Sequence, residues 1–318
     1  MRTVRRTAAV LILPAIAYLG AACERTAPTA SVPARGLEGD LIAQTASYLT
    51  QQLLALEALI PDGTLTPDDP LPSGHTIHVV THDNQDSWKV QVSPTGEVTF
   101  EDETTCDPSA PPPLPPGALH LVVMPTTGTE PLTFARLRAT RYHRTYLRDL
   151  TRLDYWACDE ENNGQQWPFI ALEIDHNGDN VIDDELIFEP AWQNAAEGGE
   201  CGAVSNQGPE MLDKWQFWDA LRTDATTGQF HACWWSVEEM TVFPPGFTIR
   251  PLSDYIAAHP NAAIVNLDGN HGGVQIIHGF AENVTFDGWV DAFTIGKDIN
   301  GSNGQTQNST ITYDFQKP

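Results

Sequence analysis

Residues 169 to 188 read Phe169-Ile-Ala-Leu-Glu-Ile174, then Asp175-His-Asn-Gly-Asp-Asn-Val-Ile-Asp183, then Asp184-Glu-Leu-Ile-Phe188. Two short apolar runs flank an acidic loop rich in Asn and Gly. Runs of four to eight residues bounded by turn formers are strand signals, too short for helices. The same pattern recurs in both directions from this stretch. Strands are expected upstream at Thr76–Val80, Trp88–Val92, Glu97–Phe100, Ala118–Val123 and Arg136–Thr140. Downstream they are expected at Ala263–Val265, Val274–Ile277, Trp289–Ile295 and Thr310–Phe315. Pro94-Thr95-Gly96 is a turn, and Pro111–Gly117 is a proline-rich crossing too poor in donors for a central strand. Short helical turns are expected at Glu210–Leu221 and Leu252–Ala258. The 24 Gly and 24 Pro favour many short elements over long helices. Many short strands separated by turns indicate a β-sandwich or barrel over residues 75–318. No internal repeat and no dinucleotide-type βαβ pattern is visible.

The N-terminal quarter has a different character. Arg2, Arg5 and Arg6 precede an apolar run from Ala8 to Leu19, which small residues Gly20, Ala21 and Ala22 close before Cys23. Residues 1–22 read as a secretory signal. The residues before Cys23 match a lipobox imperfectly, and lipidation of Cys23 is the expectation, with cleavage after Ala22 and free secretion as the alternative. Residues 23–36 read as a flexible tether. Within 37–74, Ile42, Ala46, Leu49, Leu53, Leu56 and Ile60 line one face of an amphipathic helix. Asp40 is its N-cap and Pro61-Asp62-Gly63 its end. Its polar face carries no Lys or Arg, so it is expected to pack on the main domain, not on a membrane.

Charge and cysteine content narrow the function classes. Lys and Arg number 17 against 42 Asp and Glu, for a net charge of −25. Such a chain is a poor partner for nucleic acid or anionic lipid. Membrane contact is expected through the lipid anchor alone, and no protein partner is indicated. The expected location is the cell envelope, on the periplasmic or the cell-surface side. Cys106, Cys158, Cys201 and Cys233 remain after Cys23. Four cysteines in an exported chain suggest two disulfides, with three pairings open.

The sharpest chemical feature is the loop from Asp175 to Asp184. Asp175, Asn177, Asp179 and Asp183 stand at loop positions 1, 3, 5 and 9, and Val181 offers a backbone carbonyl at position 7. That spacing can wrap a structural Ca2+. It departs from an EF-hand at Asn180, where Gly is wanted, and at Leu186, where Glu is wanted. The plainer reading is a polar hairpin turn. His75, His78 and His82 cannot share an ion on a straight strand, because His75 faces away from the other two. Nine Trp invite a saccharide-stacking reading. Tyr155, Trp156, Trp167 and Trp192 lie in polar contexts and are the candidate platforms, whereas Trp215, Trp218, Trp234 and Trp235 read as packing residues. No nucleophile elbow, His-Glu-x-x-His, phosphate loop or dinucleotide fingerprint occurs.

Three segments together resemble an uncharacterised family of secreted bacterial modules. They are Ala171–Pro190; Trp215–Leu221 with Trp234-Trp235-Ser236; and Gly273–Ile277 with Phe286–Gly296 and Thr312–Phe315. The resemblance implies a mainly β, jelly-roll-like antiparallel sandwich, similar in architecture to lectins and carbohydrate-binding modules. It brings no assigned activity. The function expected is a non-catalytic, calcium-stabilised, glycan-binding module. A structural envelope protein and a polysaccharide hydrolase or lyase on the same scaffold are the alternatives.

Overall fold

The computed structural model describes residues 74–102, 104–125, 133–238, 248–267, 272–279, 284–300 and 306–318. The signal segment expected at 1–22, the lipidation expected at Cys23, the tether expected at 23–36 and the helix expected at 40–60 lie outside the described residues.

Sixteen strands are numbered in chain order. They are β1 (His75–Val80), β2 (Trp88–Val92), β3 (Gly96–Glu101), β4 (Ala118–Val123), β5 (Ala135–Ala139), β6 (Thr145–Tyr146), β7 (Leu150–Glu161) and β8 (Phe169–Asp175). Then come β9 (Asp184–Phe188), β10 (Gln216–Asp219), β11 (Cys233–Ser236), β12 (Arg250–Pro251), β13 (Ala263–Ile264), β14 (Val274–His278), β15 (Phe286–Asn300) and β16 (Thr306–Phe315). They form two sheets. In the first the order is β1-β16-β15-β4-β3, with β7 also on β15 and β10 on β7. In the second it is β12-β11-β9-β8-β14-β5-β2, with β13 joining β8 to β6. The pairing of β1 with β16 is parallel, and the other strand pairs are antiparallel. The chain passes between sheets repeatedly, so the architecture is the expected mainly β sandwich.

Period-two alternation builds the core. Leu119, Leu121 and Val123 of β4, Leu153, Tyr155 and Ala157 of β7, and Val290, Phe293 and Ile295 of β15 face one way. Ile170, Leu172 and Ile174 of β8, Leu186 and Phe188 of β9, and Val274 and Ile276 of β14 meet them. Successive strand residues point to opposite faces, so every second residue is free for another task.

One expectation needs correction, and two elements lie where none was expected. Residues 216–219 form strand β10 on β7, not a helical turn, because aromatic Phe217 and Trp218 suit a pleated surface. The central strand β7 was not expected, since Arg152, Asp154 and Asp159 interrupt its apolar pattern. Helix α1 (Ala195–Ser205) was also missed, because three glycines hide it. Asn194 caps it, accepting from the backbone N–H groups of Ala196 and Glu197. Its Gly202 must lack a side chain, as a Cβ there would meet the Asn194 carbonyl oxygen at 2.0 Å. The second helix, α2 (Leu252–Ala258), lies where expected.

The four cysteines pair as Cys106–Cys158 and Cys201–Cys233. The first ties the loop after β3 to β7, and the second ties α1 to β11. Two disulfides indicate an oxidising, extracytoplasmic environment. No helix among the described residues is long and apolar enough to cross a membrane.

Candidate functional site

The second sheet carries its chemistry on the face turned away from the core. Phe169, Ala171 and Glu173 of β8 point there, as do Glu185 and Ile187 of β9, Gln275 and Ile277 of β14, Arg136 and Arg138 of β5, and Trp235 of β11. One half of this face is apolar. Phe169, Ala171, Ile187, Trp235 and Ile277 form a buried cluster against which Phe134, Trp192 and Val237 pack. The other half is a polar belt. Glu173 and Glu185 stand directly opposite each other across β8 and β9. Gln275 links Arg136 to Glu173. Its Oε1 accepts from Arg136 Nη1 at 2.8 Å, and its Nε2 donates to Glu173 Oε1 at 3.2 Å. Glu173 is only 7% exposed, and its Oε2 is buried with no hydrogen-bond partner.

The electrostatics of the belt follow from this crowding. Burial, with the field of Glu173 added, pushes the Glu185 carboxyl up to about 7, and Arg136 opposes the rise. Glu185 nevertheless keeps some contact with solvent. Glu189, just beyond β9, is also raised by burial, although two indole N–H groups hold its carboxylate. Trp192 Nε1 and Trp235 Nε1 both donate to Glu189 Oε2, the latter at 2.9 Å. A 3-10 turn, Pro190–Gln193, carries Trp192 to this position, half-buried at the edge of the face.

The four aromatic platforms expected from the sequence separate. Tyr155 is a fully buried core residue whose hydroxyl donates to the Pro168 carbonyl. Trp167 is buried too, packed edge-on against Trp218. Neither offers a ring to a ligand, because both sit on inward positions of the sandwich. Trp156 is half-buried on the outer face of the first sheet, beside Phe217. Trp192 alone of the four joins the polar belt's face. Trp235, read from sequence as a packing residue, is buried in the apolar cluster on which Trp192 packs. Adjacent residues of a strand alternate, so Trp234 enters the core and Trp235 leaves it.

The acidic loop closes through its own backbone. Asp175 Oδ1 accepts from the N–H groups of Asn177 and Gly178, and its Oδ2 from that of Asn180. Burial would raise the Asp175 carboxyl, but these donors hold it below its ordinary value. Asn177 accepts from Asp179 N–H, Asp179 from Val181 N–H, and Asp183 from His176 N–H. Gly178 and Asn180 take positive φ to make the curl. The loop's donors are all oxygens, the chemistry of a hard cation, and its carboxylates face backbone N–H groups. Beside it, His176, Asp184 and Glu238 bring ligand atoms within 4.8 Å of one another. Asp184 is already saturated there. Ser236 Oγ and Tyr255 Oη donate to its Oδ2, and the N–H groups of Glu185 and Glu238 donate to its Oδ1. His75, His78 and His82 have separate partners, Thr312, Asp86 and Asp83.

No family model matches the chain, and no curated protein matches it. The resemblance to a family of secreted modules therefore stands at the level of the β-sandwich alone. Among solved structures the chain is similar to a beta-1,2-glucanase from Parabacteroides distasonis, with 10% identity and a TM-score of 0.25. The similarity covers 72% of this chain and 32% of that one, so it spans about a third of that enzyme's length. An overlap this loose fixes neither fold nor activity.

Proposed function

We propose that the protein is an exported glycan-binding β-sandwich that holds saccharide on the outer face of its second sheet. The observation that carries this reading is the joining of two half-faces. The half-buried Trp192, packed on the buried Trp235, adjoins a belt of Arg136, Gln275, Glu173 and Glu185. Saccharides present both an apolar ring face and hydroxyl donors, and the two halves match them in turn. The carboxylates at this face and the net charge of −25 favour neutral polymers over polyuronates and sulfated glycans. Calcium belongs to this reading as a brace for the Asp175–Asp183 loop, away from the face. Lipidation at Cys23 would hold the sandwich at the envelope.

Affinity electrophoresis of the disulfide-bonded protein through gels containing neutral polysaccharides tests the reading. Retardation is expected in at least one neutral polymer, and Trp192→Ala should weaken it about tenfold or more, the loss of one stacked ring. Equal retardation of wild type and Trp192→Ala would move the binding surface elsewhere. Calcium is expected to raise Tm and chelator to lower it, with retardation unchanged. A Tm indifferent to both removes the ion from the account.

A further inference from the structure

We propose that the protein pairs with a second copy of itself through the free edge of β1, strand against antiparallel strand, about a two-fold axis at Ile77. The inference stands apart from the glycan-binding reading and uses the other sheet. Three observations converge.

The first is an open ladder. β1 is the end strand of the first sheet and pairs with β16 alone. Thr310 N–H donates to the Gly74 carbonyl at 2.8 Å, and Gln316 N–H to the Val80 carbonyl at 2.9 Å. Successive residues of a strand turn their backbone groups to alternate sides. Gly74, Thr76, His78 and Val80 therefore serve β16, and His75, Ile77 and Val79 turn their N–H and C=O groups outward. Among the described residues nothing bonds to those outward groups.

The second is the contrast with the other edges. Sheet edges are ordinarily blunted by charge, by proline or by shortness. β3 carries Glu97 and Glu101, β2 carries Lys89, and β10 carries Asp219. β6 and β12 have two residues each, and β12 contains Pro251. β1 reads His-Thr-Ile-His-Val-Val, with no Lys, Arg, Asp, Glu or Pro over its 6 residues. In a chain of net charge −25, this edge lets two copies meet without setting carboxylate against carboxylate along the strand.

The third is the side chains. His75, Ile77 and Val79 share the outer face of the sheet, and His75 Nε2 is anchored there on Thr312 Oγ1 at 2.8 Å. Ile77 is 39% exposed and Val79 45%. An antiparallel partner centred on Ile77 sets that residue opposite its own counterpart, and His75 opposite Val79 of the second copy. All three outward residues of each copy then exchange bonds with the residue facing them, about six hydrogen bonds across the axis. The same register brings Ile77 and Val79 of both copies into one apolar strip. A two-fold axis makes the edge its own complement, so a second copy satisfies it without any further partner.

One strand pair is a smaller interface than a standard one, so association is expected to be weak, with Kd in the micromolar range. Repulsion between two acidic chains opposes it, and salt should strengthen the dimer by screening that repulsion.

The test is sedimentation equilibrium of the disulfide-bonded protein from about 1 to 200 μM, at low and at high salt. The mass is expected to rise with concentration toward twice that of the monomer, and further at high salt. Ile77→Lys places like charges together on the axis, and Ile77→Pro removes an N–H that β16 does not use. Each should raise Kd about tenfold or more, and either serves if the other fails to fold. Hydrogen exchange locates the contact. The amides of His75, Ile77 and Val79 should slow as concentration rises, whereas those of Thr76, His78 and Val80, bonded to β16, should not change. A monomer at every concentration and salt overturns the proposal. A dimer that neither variant weakens places the contact elsewhere and also overturns it. Slow exchange at His75, Ile77 and Val79 in dilute monomer would mean that another segment of this chain covers the edge, which overturns it as well.

Discussion

At the scale of single residues, Glu189 decides how the aromatic edge is held. Two indole N–H groups converge on one of its oxygens, so each ring is oriented by a charge-assisted hydrogen bond. Trp192→Phe keeps a ring and loses the donor. It is expected to cost about 1.5–3 kcal/mol of stability in denaturant melts, with less loss of glycan retention than Trp192→Ala. Gly288 is a second such point. His278 and Asp159 are both fully buried and stand 2.9 Å apart beneath it. Burial raises the Asp159 carboxyl, while His278 and Asn162 pull it down. A Cβ at Gly288 would come within 2.9 Å of Asp159 Oδ1, His278 Nε2 and Pro168 Cγ. Gly288→Ala is therefore expected to destabilise by about 1–3 kcal/mol, read as a lowered urea midpoint with unchanged m-value. Trp234 and Trp235 read in the sequence as packing residues and are both buried, on opposite faces of the sheet, whereas Trp192, in a polar context, is half-buried.

At the scale of elements, the short strands were legible and their partners were not. Trp88–Val92 and Ala118–Val123 lie within the bounds their apolar runs predict. β7 escaped notice because its outward positions carry Arg152 and Asp154, which pair with each other instead of facing water. The opposition of Glu173 and Glu185 was equally hidden. It depends on the register of β8 against β9, which the Asx turns of the intervening loop set. Cysteine spacing left three pairings open, and the fold selects one. The Cys201–Cys233 bridge closes a separation of 32 residues and Cys106–Cys158 one of 52. Loop-closure entropy assigns each about 4 kcal/mol. The double variant Cys201→Ser with Cys233→Ser should lower Tm by roughly 10 °C. A Tm unchanged by that variant would mean that α1 is held by Asn194 and its packing alone.

At the scale of the whole molecule, acidity is the dominant property. Burial lifts Glu185 and Glu210 to about 7, and Asp154 and Asp314 to about 6. Each binds its proton more tightly folded than unfolded. Their contribution to stability is complete below the ordinary carboxyl range of about 4 and is lost as pH rises through 6 to 7. Self-repulsion from a net charge of −25 grows in the same direction, as pH rises. Asp175 and Asp107, held below their ordinary values, act in the opposite sense, and only once pH falls below about 4. Tm is therefore expected to be higher at pH 5 than at pH 8. A Tm that climbs from pH 5 to pH 8 would contradict the buried protonated carboxyls, and Glu185→Gln should flatten the dependence.

The parallel pairing of β1 with β16 also bears on the order of events during biosynthesis. A ribosome makes His75–Val80 early and Thr306–Phe315 late. Until the late segment arrives, the first strand has no neighbour in its sheet among the described residues, and its hydrogen-bonding edge is open to chaperones or to other chains. Closure of the first sheet thus registers that the chain has been made through Phe315. A product stopped short of β16 would carry an unsatisfied edge by which a cell could recognise it as incomplete.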